Sequence, residues 1–374
     1  MLDFTSALYL GLTHPSRSLR PWLQFTLGVP AALASPPDAY VVAQQLASLQ
    51  GCERGLLGTS TLHLFWDLFG MLSRHRVDIY VDAGTYPIGR WGVERAAARG
   101  IPVRAFRHHD AGALQHALRE SAGHKRRPVL LTDGFCPACG KLAPLPAYLD
   151  GVRAYGGLLI IDDTQAVGVL GHSPRPDAPY GHGGGGTLPW FNIQGEDVLA
   201  VSSLAKGFGA PLAVLCGSRR NLQSFESNSE TRMHCSPPAV ATIRAAEHAL
   251  RVNHERGDWL RRRLAQLVIR FRYGASQAGL HFIGGLFPVQ TLAYARNSGV
   301  LDVHEKLLHR GIQTVVRDDT HTSALRLSIL ISARHTTDEI DLATATLAQV
   351  GTDISVLSSR IHAKGNHHEL HIRV

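Results

Sequence analysis

Apolar and polar residues alternate along the first two thirds of the chain in blocks that predict an α/β fold. Short runs of Leu, Ile and Val, such as Val129–Leu131 and Leu158–Ile161, predict buried strands, and the amphipathic stretches between them predict helices. The predicted helices are Leu62–Arg74, Gly89–Ala98, Ala111–Glu120 and Pro146–Tyr155, and the further strands are Asp78–Val81, Pro102–Phe106, Asp197–Ser202 and Val214–Gly217. Because strands alternate with helices, we expect a mainly parallel sheet that helices cover on both faces.

The pattern changes after Pro237-Pro238. A long helix is predicted first, followed by a mixture of strands and helices: helices Ala239–Arg272, Val300–Arg310 and Thr337–Val350, and strands Val289–Leu292 and Leu325–Ile331. This mixture predicts a smaller α+β domain. The predicted division is an N-terminal segment 1–28, a large domain 29–236, and a linking helix with the small domain 237–374. The polar tail Ser355–Val374 is expected to be an added strand or a loosely ordered end.

The segment Gly181–Gly186, GHGGGG, is predicted to be a loop, because glycine-rich sequence does not hold regular structure. It does not fit a dinucleotide-binding motif, since no strand leads directly into it and no helix opens from it. We therefore expect a flexible surface loop.

Composition adds few constraints. With 374 residues, 44% of them hydrophobic and 18% charged, the chain has the composition of an ordinary globular protein and is long enough for two domains, or for one large domain with a smaller appendage. Its apolar runs are too short to span a bilayer, and the N-terminus lacks a basic segment ahead of an apolar one, so we expect neither a membrane span nor a secretory signal. The net charge of +8 favours anionic partners such as coenzyme A phosphates, an acidic carrier protein or nucleic acid, or simply a solvated basic surface. No nucleic-acid motif accompanies it, so no nucleic-acid partner is expected.

The five cysteines are few and odd in number, which argues against a disulfide framework and for a reducing cytoplasm. Cys136 and Cys139 form a lone CxxC pair. Zinc ribbons need a second pair, and Cys216 and Cys235 do not supply one at metal spacing, so no metal site is expected.

Two candidate binding features begin or end predicted elements. Gly58–Thr61 precedes a helix, where hydroxyls and free backbone N–H groups can bind phosphate. The alternative is an ordinary N-cap. The strand Leu158–Ile161 ends in Asp162 and Asp163, at the kind of strand end where α/β sheets bind ligands. A carboxylate there can keep a heterocyclic nitrogen protonated, or it can simply cap a turn.

Two further features carry cations. Lys206 lies in SSLAKGFG after the strand Asp197–Ser202, beside small residues that allow a cofactor to approach. A desolvated lysine loses basicity and becomes a better nucleophile toward carbonyls, although a surface lysine is the plain alternative. Arg326 lies in the apolar strand Leu325–Ile331, where its guanidinium needs an anion. That anion could be a substrate carboxylate or an internal salt-bridge partner.

The sequence resembles fold-type I pyridoxal-5′-phosphate (PLP) enzymes of the class I/II aminotransferase superfamily, and among them the α-oxoamine synthases. The most specific segments are DDTQAVGVLG at Asp162–Gly171 and SSLAKGFGAPLAVLCGS at Ser202–Ser218, and the similarity extends from Asp3–Leu12 to Arg326–Asp341. The resemblance implies a large PLP-binding domain with a mainly parallel seven-stranded sheet, a small C-terminal α+β domain, and a homodimer.

The resemblance also implies roles for single residues. Lys206 matches the Schiff-base lysine, Asp162 the aspartate that faces the pyridine nitrogen, and Arg326 the arginine that binds the amino-acid carboxylate. Gln165 takes the place of a histidine at the phenolic oxygen of PLP, and Tyr86 that of a histidine stacked on its ring. For the phosphate, the matching residues are Ser60, Thr61, Leu62 and Ser203.

Several positions depart from the family pattern. Ala7 replaces a substrate-binding asparagine, His234 replaces a threonine that reaches the partner subunit's phosphate, and Gly28–Tyr40 has little similarity to the substrate loop. The leading hypothesis is an acyltransferase that condenses an amino acid with an acyl thioester of CoA or a carrier protein and releases the carboxylate. Alternatives are an aminotransferase, and an inactive PLP-fold binding protein, against which intact Lys206 and Asp162 speak.

Overall fold

The computed structural model describes residues 1–293, 297–318 and 325–364. They form two compact units. The large unit comprises residues 7–265 and 332–334, and the small unit comprises 1–6, 266–331 and 335–374. The division predicted from the sequence, at residues 28 and 236, stays a prediction.

The strands are numbered in chain order: β1 Leu2–Asp3, β2 Arg54–Gly58, β3 Val77–Asp82, β4 Val103–Phe106, β5 Arg127–Asp133, β6 Phe135–Cys136, β7 Lys141–Leu142, β8 Leu158–Asp162, β9 Val198–Ser203, β10 Ala213–Gly217, β11 Phe282–Ile283, β12 Val289–Leu292, β13 Ile312–Gln313, β14 Val315–Asp318 and β15 Leu325–Leu330. The helices are α1 Ala39–Leu49, α2 Thr61–Leu72, α3 Pro87–Ala98, α4 Ala111–Ser121, α5 Leu145–Arg153, α6 Thr187–Trp190, α7 Arg219–Asn228, α8 Glu230–His234, α9 Val240–Gln277, α10 Asn297–His309 and α11 Thr337–Lys364. Two short 3₁₀ turns lie at Ser16–Ser18 and Ala122–His124.

A seven-stranded sheet forms the centre of the large unit, in the order β2-β10-β9-β8-β5-β3-β4. Strand β10 runs antiparallel to both of its neighbours, whereas the pairs β9–β8, β8–β5, β5–β3 and β3–β4 are parallel. The predicted mainly parallel sheet of the fold-type I class is therefore confirmed. The carboxyl ends of β3, β5, β8 and β9 lie at one edge of the sheet, where such folds bind ligands.

Alternate residues of the central strands face two separate hydrophobic clusters, because successive side chains of a strand point to opposite faces. Ile79, Leu131 and Ile160 belong to one cluster. Tyr80 and Leu130 belong to the other, on the opposite face. Helices therefore cover both faces of the sheet. Because both faces are buried, these strands are apolar at nearly every position.

The small unit contains an antiparallel sheet in the order β11-β12-β15-β14, and a short parallel pair of β1 with β13. Helix α9 begins in the large unit and ends in the small one. Helices α10 and α11 belong to the small unit. The first half of the tail is helical, since α11 runs to Lys364, so the expected added strand is wrong there. Residues 365–374 lie outside the described residues. Among the described helices, none is long and apolar enough to cross a membrane.

The glycine-rich segment at Gly181–Gly186 is a loop as predicted, but the expectation of a flexible surface loop is wrong. Most of it is buried, and Arg261 of α9, 2% exposed, lies against Gly184. The Arg261 guanidinium donates to the carbonyl oxygen of Gly168 at 2.9 Å and to Asp258. Asp258 in turn accepts the N–H of Gly183 at 3.0 Å. The loop is thus held by a buried arginine that lies far away in the sequence.

Candidate functional site

Polar side chains gather where the central strands of the large unit end. Asp162 ends β8, Asp133 ends β5 in register with Asp162, and Lys206 follows β9. The structure therefore brings Lys206 and Asp162, which are 44 residues apart in the sequence, to the same edge of one sheet. Tyr86, Gln165, Ser60 and the other candidates for the phosphate also belong to the large unit.

Lys206 is partly buried in the loop between β9 and β10. Burial lowers the pKa of its amine, while the charges of Asp162 and Asp133 act in the opposite direction. Its Nζ atom lies 5.9 Å from the centre of the Tyr86 ring. A lysine in this setting holds a larger fraction of neutral amine, the form that attacks carbonyl carbon.

Asp162 is 6% exposed, and its Oδ1 accepts the Thr164 N–H at 3.0 Å. Burial raises its pKa. Asp133 beside it has a pKa raised well above the ordinary value by burial and by the charge of Asp162. Two buried carboxyl groups so close bind protons as a pair, and a cationic ring nitrogen would relieve that repulsion.

Asp133 also fixes the position of Tyr86. Its two carboxylate oxygens accept the Tyr86 N–H at 3.1 and 3.2 Å, at the residue before α3. Our sequence reasoning missed Asp133, although a polar residue that ends an apolar strand was the same signal that had identified Asp162. The Tyr86 ring is 55% exposed, so its face is available to a flat ligand.

Asp163 points to a different part of the molecule from Asp162. Its carboxylate accepts the Thr187 N–H at 2.8 Å and the Thr187 hydroxyl at 2.7 Å, just after the glycine-rich loop. It is fully buried, and burial raises its pKa to about 7. Both of its oxygens are therefore engaged in holding the loop, which leaves Asp162 as the carboxylate near Lys206.

Gln165 is held by a residue that sequence reasoning did not identify. The Tyr9 hydroxyl donates to the Gln165 Oε1 atom at 2.7 Å. Tyr9 is 1% exposed, and burial raises its pKa, so the hydroxyl keeps its proton. Because Oε1 accepts from Tyr9, the amide Nε2 is the end of Gln165 that can donate to a ligand. No short-range pattern pointed to Tyr9, which lies 156 residues earlier in the sequence.

The residues predicted to bind a phosphate lie in two places, at the start of α2 and at the end of β9. Ser60 is the N-cap of α2, as the plainer interpretation held, and its Oγ accepts the His63 N–H at 3.5 Å. Thr61 and Leu62 begin the helix, so their N–H groups belong to the first turn, which has no intrahelical acceptors. Ser203 accepts the Ala205 N–H at 3.3 Å in the loop of Lys206.

The two most specific sequence segments touch through their backbones. A Cβ atom added at Gly168 would lie 3.0 Å from backbone atoms of Gly207, and one added at Gly207 would collide with the Val167 carbonyl oxygen. This contact fixes the loop of Lys206 against the turn that carries Gln165.

Arg326 belongs to the small unit, where it lies on β15 opposite Arg317 of β14 and is half-buried. Two positions that depart from the family pattern lie in the large unit. Ala7 is half-buried, and His234 is exposed at the end of α8.

The chain is similar to known PLP enzymes both in sequence and in structure. The chain is 31% identical to an 8-amino-7-oxononanoate synthase of Sodalis glossinidius over 91% of this chain and 85% of the relative. The 8-amino-7-oxononanoate synthase structure from Francisella tularensis aligns with a TM-score of 0.73 at 18% identity, over 95% of this chain and 99% of that one. A serine palmitoyltransferase structure with PLP aligns with a TM-score of 0.80 at 15% identity, over 94% of this chain and 87% of that one. No family model matches the chain.

Proposed function

Because the chain belongs to the α-oxoamine synthase family of fold-type I PLP enzymes, we propose that it condenses an amino acid with an acyl thioester and releases carbon dioxide to give an α-aminoketone. One observation carries the proposal: Lys206, Asp162 and the Tyr86 ring lie together at the carboxyl edge of the sheet. A partly buried amine of lowered pKa beside a buried carboxyl group is typical of a catalytic site.

The residues at this edge fit PLP. Asp162 is a buried acid that needs a cationic partner, and the protonated pyridine nitrogen of PLP is such a partner. Lys206 supplies the amine that binds the aldehyde carbon, and Tyr86 supplies a flat surface for the ring. The N–H groups of Thr61 and Leu62 and the hydroxyl of Ser203 would hold the phosphate.

When bound, PLP supplies an electron sink for negative charge at the α-carbon of the amino acid. Asp162 would stabilise the protonated ring nitrogen by charge pairing. The amide Nε2 of Gln165, oriented by Tyr9, would be free to donate to the phenolic oxygen. The Lys206 amine would take the α-proton and later return a proton to the product.

The proposed condensation forms one carbon–carbon bond and breaks one carbon–sulfur bond. The α-carbon of the amino acid bonds to the thioester carbonyl carbon, and the thiol leaves. The carboxylate of the amino acid then leaves as carbon dioxide, and a proton takes its place.

Arg326 is the residue that we assign to the carboxylate, because its guanidinium presents two parallel N–H donors. The substrates are thus an amino acid and an acyl thioester of CoA or of a carrier protein, whose phosphates or acidic surface would suit the net charge of +8.

The test is a product assay with the purified protein. Amino acid together with acyl thioester should release free thiol and carbon dioxide in equal amounts, and the aminoketone after which the Sodalis relative is named is the first product to seek. Lys206→Ala should abolish release. Lys306→Ala, whose side chain pairs with Asp302 on α10, is the matched control and should retain it.

The same assay separates the alternative activity. An aminotransferase given the amino acid alone would release a keto acid and leave pyridoxamine phosphate. Stoichiometric pyridoxamine phosphate, without thiol release across a panel of acyl donors, would refute condensation and leave the PLP fold intact.

The family resemblance also supports a homodimer in the cytoplasm. Light scattering on the purified protein should give twice the chain mass of 40.6 kDa. A mass of one chain at working concentration would contradict the dimer.

A further inference from the structure

Three potential metal ligands, His108, His109 and Cys139, lie together beside the proposed active site, and a second thiol, Cys136, is their neighbour. The Nε2 atom of His108 is 3.4 Å from the Sγ atom of Cys139, and the Nδ1 atom of His109 is 3.9 Å from the same sulfur. Ligand atoms of these three residues all lie within 4.8 Å of one another. The Cys136 thiol lies near Cys139 and His108. The CxxC pair is therefore next to two adjacent histidines.

The backbone builds this cluster from two loops. Cys136 ends β6 and Cys139 lies in the turn to β7, where the Gly140 N–H donates to the Cys136 carbonyl oxygen at 2.9 Å. Gly140 has a φ of 70°, which glycine adopts without strain. His108 and His109 follow β4. The tight hairpin presents both sulfurs to the histidines.

His108 is oriented as a metal ligand is, and one ring nitrogen of His109 is left without a partner in the described part of the chain. The Nδ1 of His108 lies 2.6 Å from Oδ1 of Asp82, which aims Nε2 at the thiols, as in carboxylate–histidine–metal arrangements. Asp82 also accepts the His109 N–H at 3.0 Å. The Nε2 of His109 is buried without a hydrogen-bond partner among the described residues.

We propose that Cys136, Cys139, His108 and His109 bind one zinc ion. Zinc–sulfur and zinc–nitrogen bonds of about 2.3 and 2.0–2.1 Å place sulfur and nitrogen ligands of a tetrahedron about 3.5 Å apart, close to the separations seen here. Two thiolates and two neutral imidazoles also match the charge of Zn²⁺. A set of two sulfurs and two nitrogens favours zinc over hard cations, which prefer oxygen.

The position of the site gives it a structural role next to catalysis. The hairpin of Cys136 follows Asp133, which holds the Tyr86 N–H, and Asp82 accepts the Gly84 N–H at 2.8 Å. Zinc would therefore tie together the loops after β3, β4 and β5 that form one wall of the site. The sequence predicted no metal because a second cysteine pair was missing, and the histidine pair takes its place.

The first experiment is metal analysis of the full-length holoenzyme, expressed with zinc in the medium and purified without chelator. We expect about one zinc per chain. Cys139→Ser and His109→Ala should lower zinc affinity by more than about 10-fold in competition with a chelator. Cys235→Ser, which removes a half-buried thiol elsewhere, is the matched control and should keep the metal.

A second measurement covers the case in which a variant fails to fold. Wild-type protein stripped of metal and titrated with Co²⁺ should show thiolate-to-cobalt charge transfer and the visible bands of tetrahedral cobalt, saturating near one equivalent. The proposal is overturned if wild-type protein neither contains zinc nor takes up cobalt, if the Cys139→Ser variant binds as much metal as wild type, or if fresh protein holds a Cys136–Cys139 disulfide instead of metal.

Discussion

Replacing Asp163 by Asn should make the protein more stable at neutral pH. The carboxyl group is fully buried, and burial raises its pKa from 3.8 to about 7. Between those values the folded chain binds a proton that the unfolded chain has lost, so the stability of the wild type falls as pH rises through this window. The slope is about 1.4 kcal/mol per pH unit, which sums to roughly 4 kcal/mol over three units.

Asparagine removes this dependence without removing the contacts. Its Oδ1 can accept the Thr187 N–H, and its Nδ2 can donate to the Thr187 hydroxyl oxygen, in place of the two bonds that Asp163 makes. The variant should therefore gain on the wild type progressively from about pH 4 to 7, and the difference should stay constant above that range.

Urea unfolding at a series of pH values, followed by tryptophan fluorescence, measures this difference. Asp177→Asn, at an exposed position, is the control and should show no such trend. A stability difference between Asp163→Asn and wild type that does not grow with pH would refute the account of the buried acid. Activity adds a second check: Asp163→Asn should keep turnover within a few-fold of wild type, whereas Asp162→Asn should lose nearly all of it.

Three further substitutions test other contacts. Arg261→Ala should destabilise the fold by about 1–3 kcal/mol in urea, because the buried Gly168 carbonyl oxygen loses its donor, while exposed Arg262→Ala should cost little. Tyr9→Phe should lower kcat/KM by up to about 10-fold, since the half-buried Gln165 amide loses a hydrogen bond worth about 0.5–1.5 kcal/mol, and Tyr273→Phe on the surface should not. Arg326→Ala should weaken amino-acid binding by about 2–5 kcal/mol in spectral titrations with PLP content unchanged, and exposed Arg310→Ala should bind as wild type does; unaltered binding in Arg326→Ala would make Arg326 a structural residue.

Most strands of the central sheet, and helices α2 to α5, could be predicted because each depends on local sequence, whereas α1, α6, α7 and α8 were missed. The run Leu158–Ile161 is apolar since both faces of β8 are covered, and the predicted strand differs from the observed one only by Asp162. Asp162 was identifiable because it ends a strand beside a second acidic residue, and Lys206 because it follows a strand among small residues. The sheet then brings them together by topology, which the alternation of elements had already indicated.

Contacts between distant segments could not be predicted in the same way. The glycine-rich loop looked flexible because glycine carries no side chain, and the arginine that holds it lies on a helix some 75 residues later. Likewise, Tyr9 has no local feature that connects it with Gln165. The cysteine pair appeared isolated because its histidine neighbours follow a different strand.

The contact of Gly168 with Gly207 bears on how enzymes of this fold can acquire new substrates. Side chains at these two positions would collide with main-chain atoms, which cannot rotate aside. Substitutions there should therefore prevent folding and be lost from any selection for active protein. Residues 28–38, before α1, have no regular structure, and many of them are exposed, so they can accumulate changes while Lys206 stays in place. Laboratory evolution toward new acyl donors should therefore concentrate its libraries on residues 28–38, and leave the glycine contact untouched.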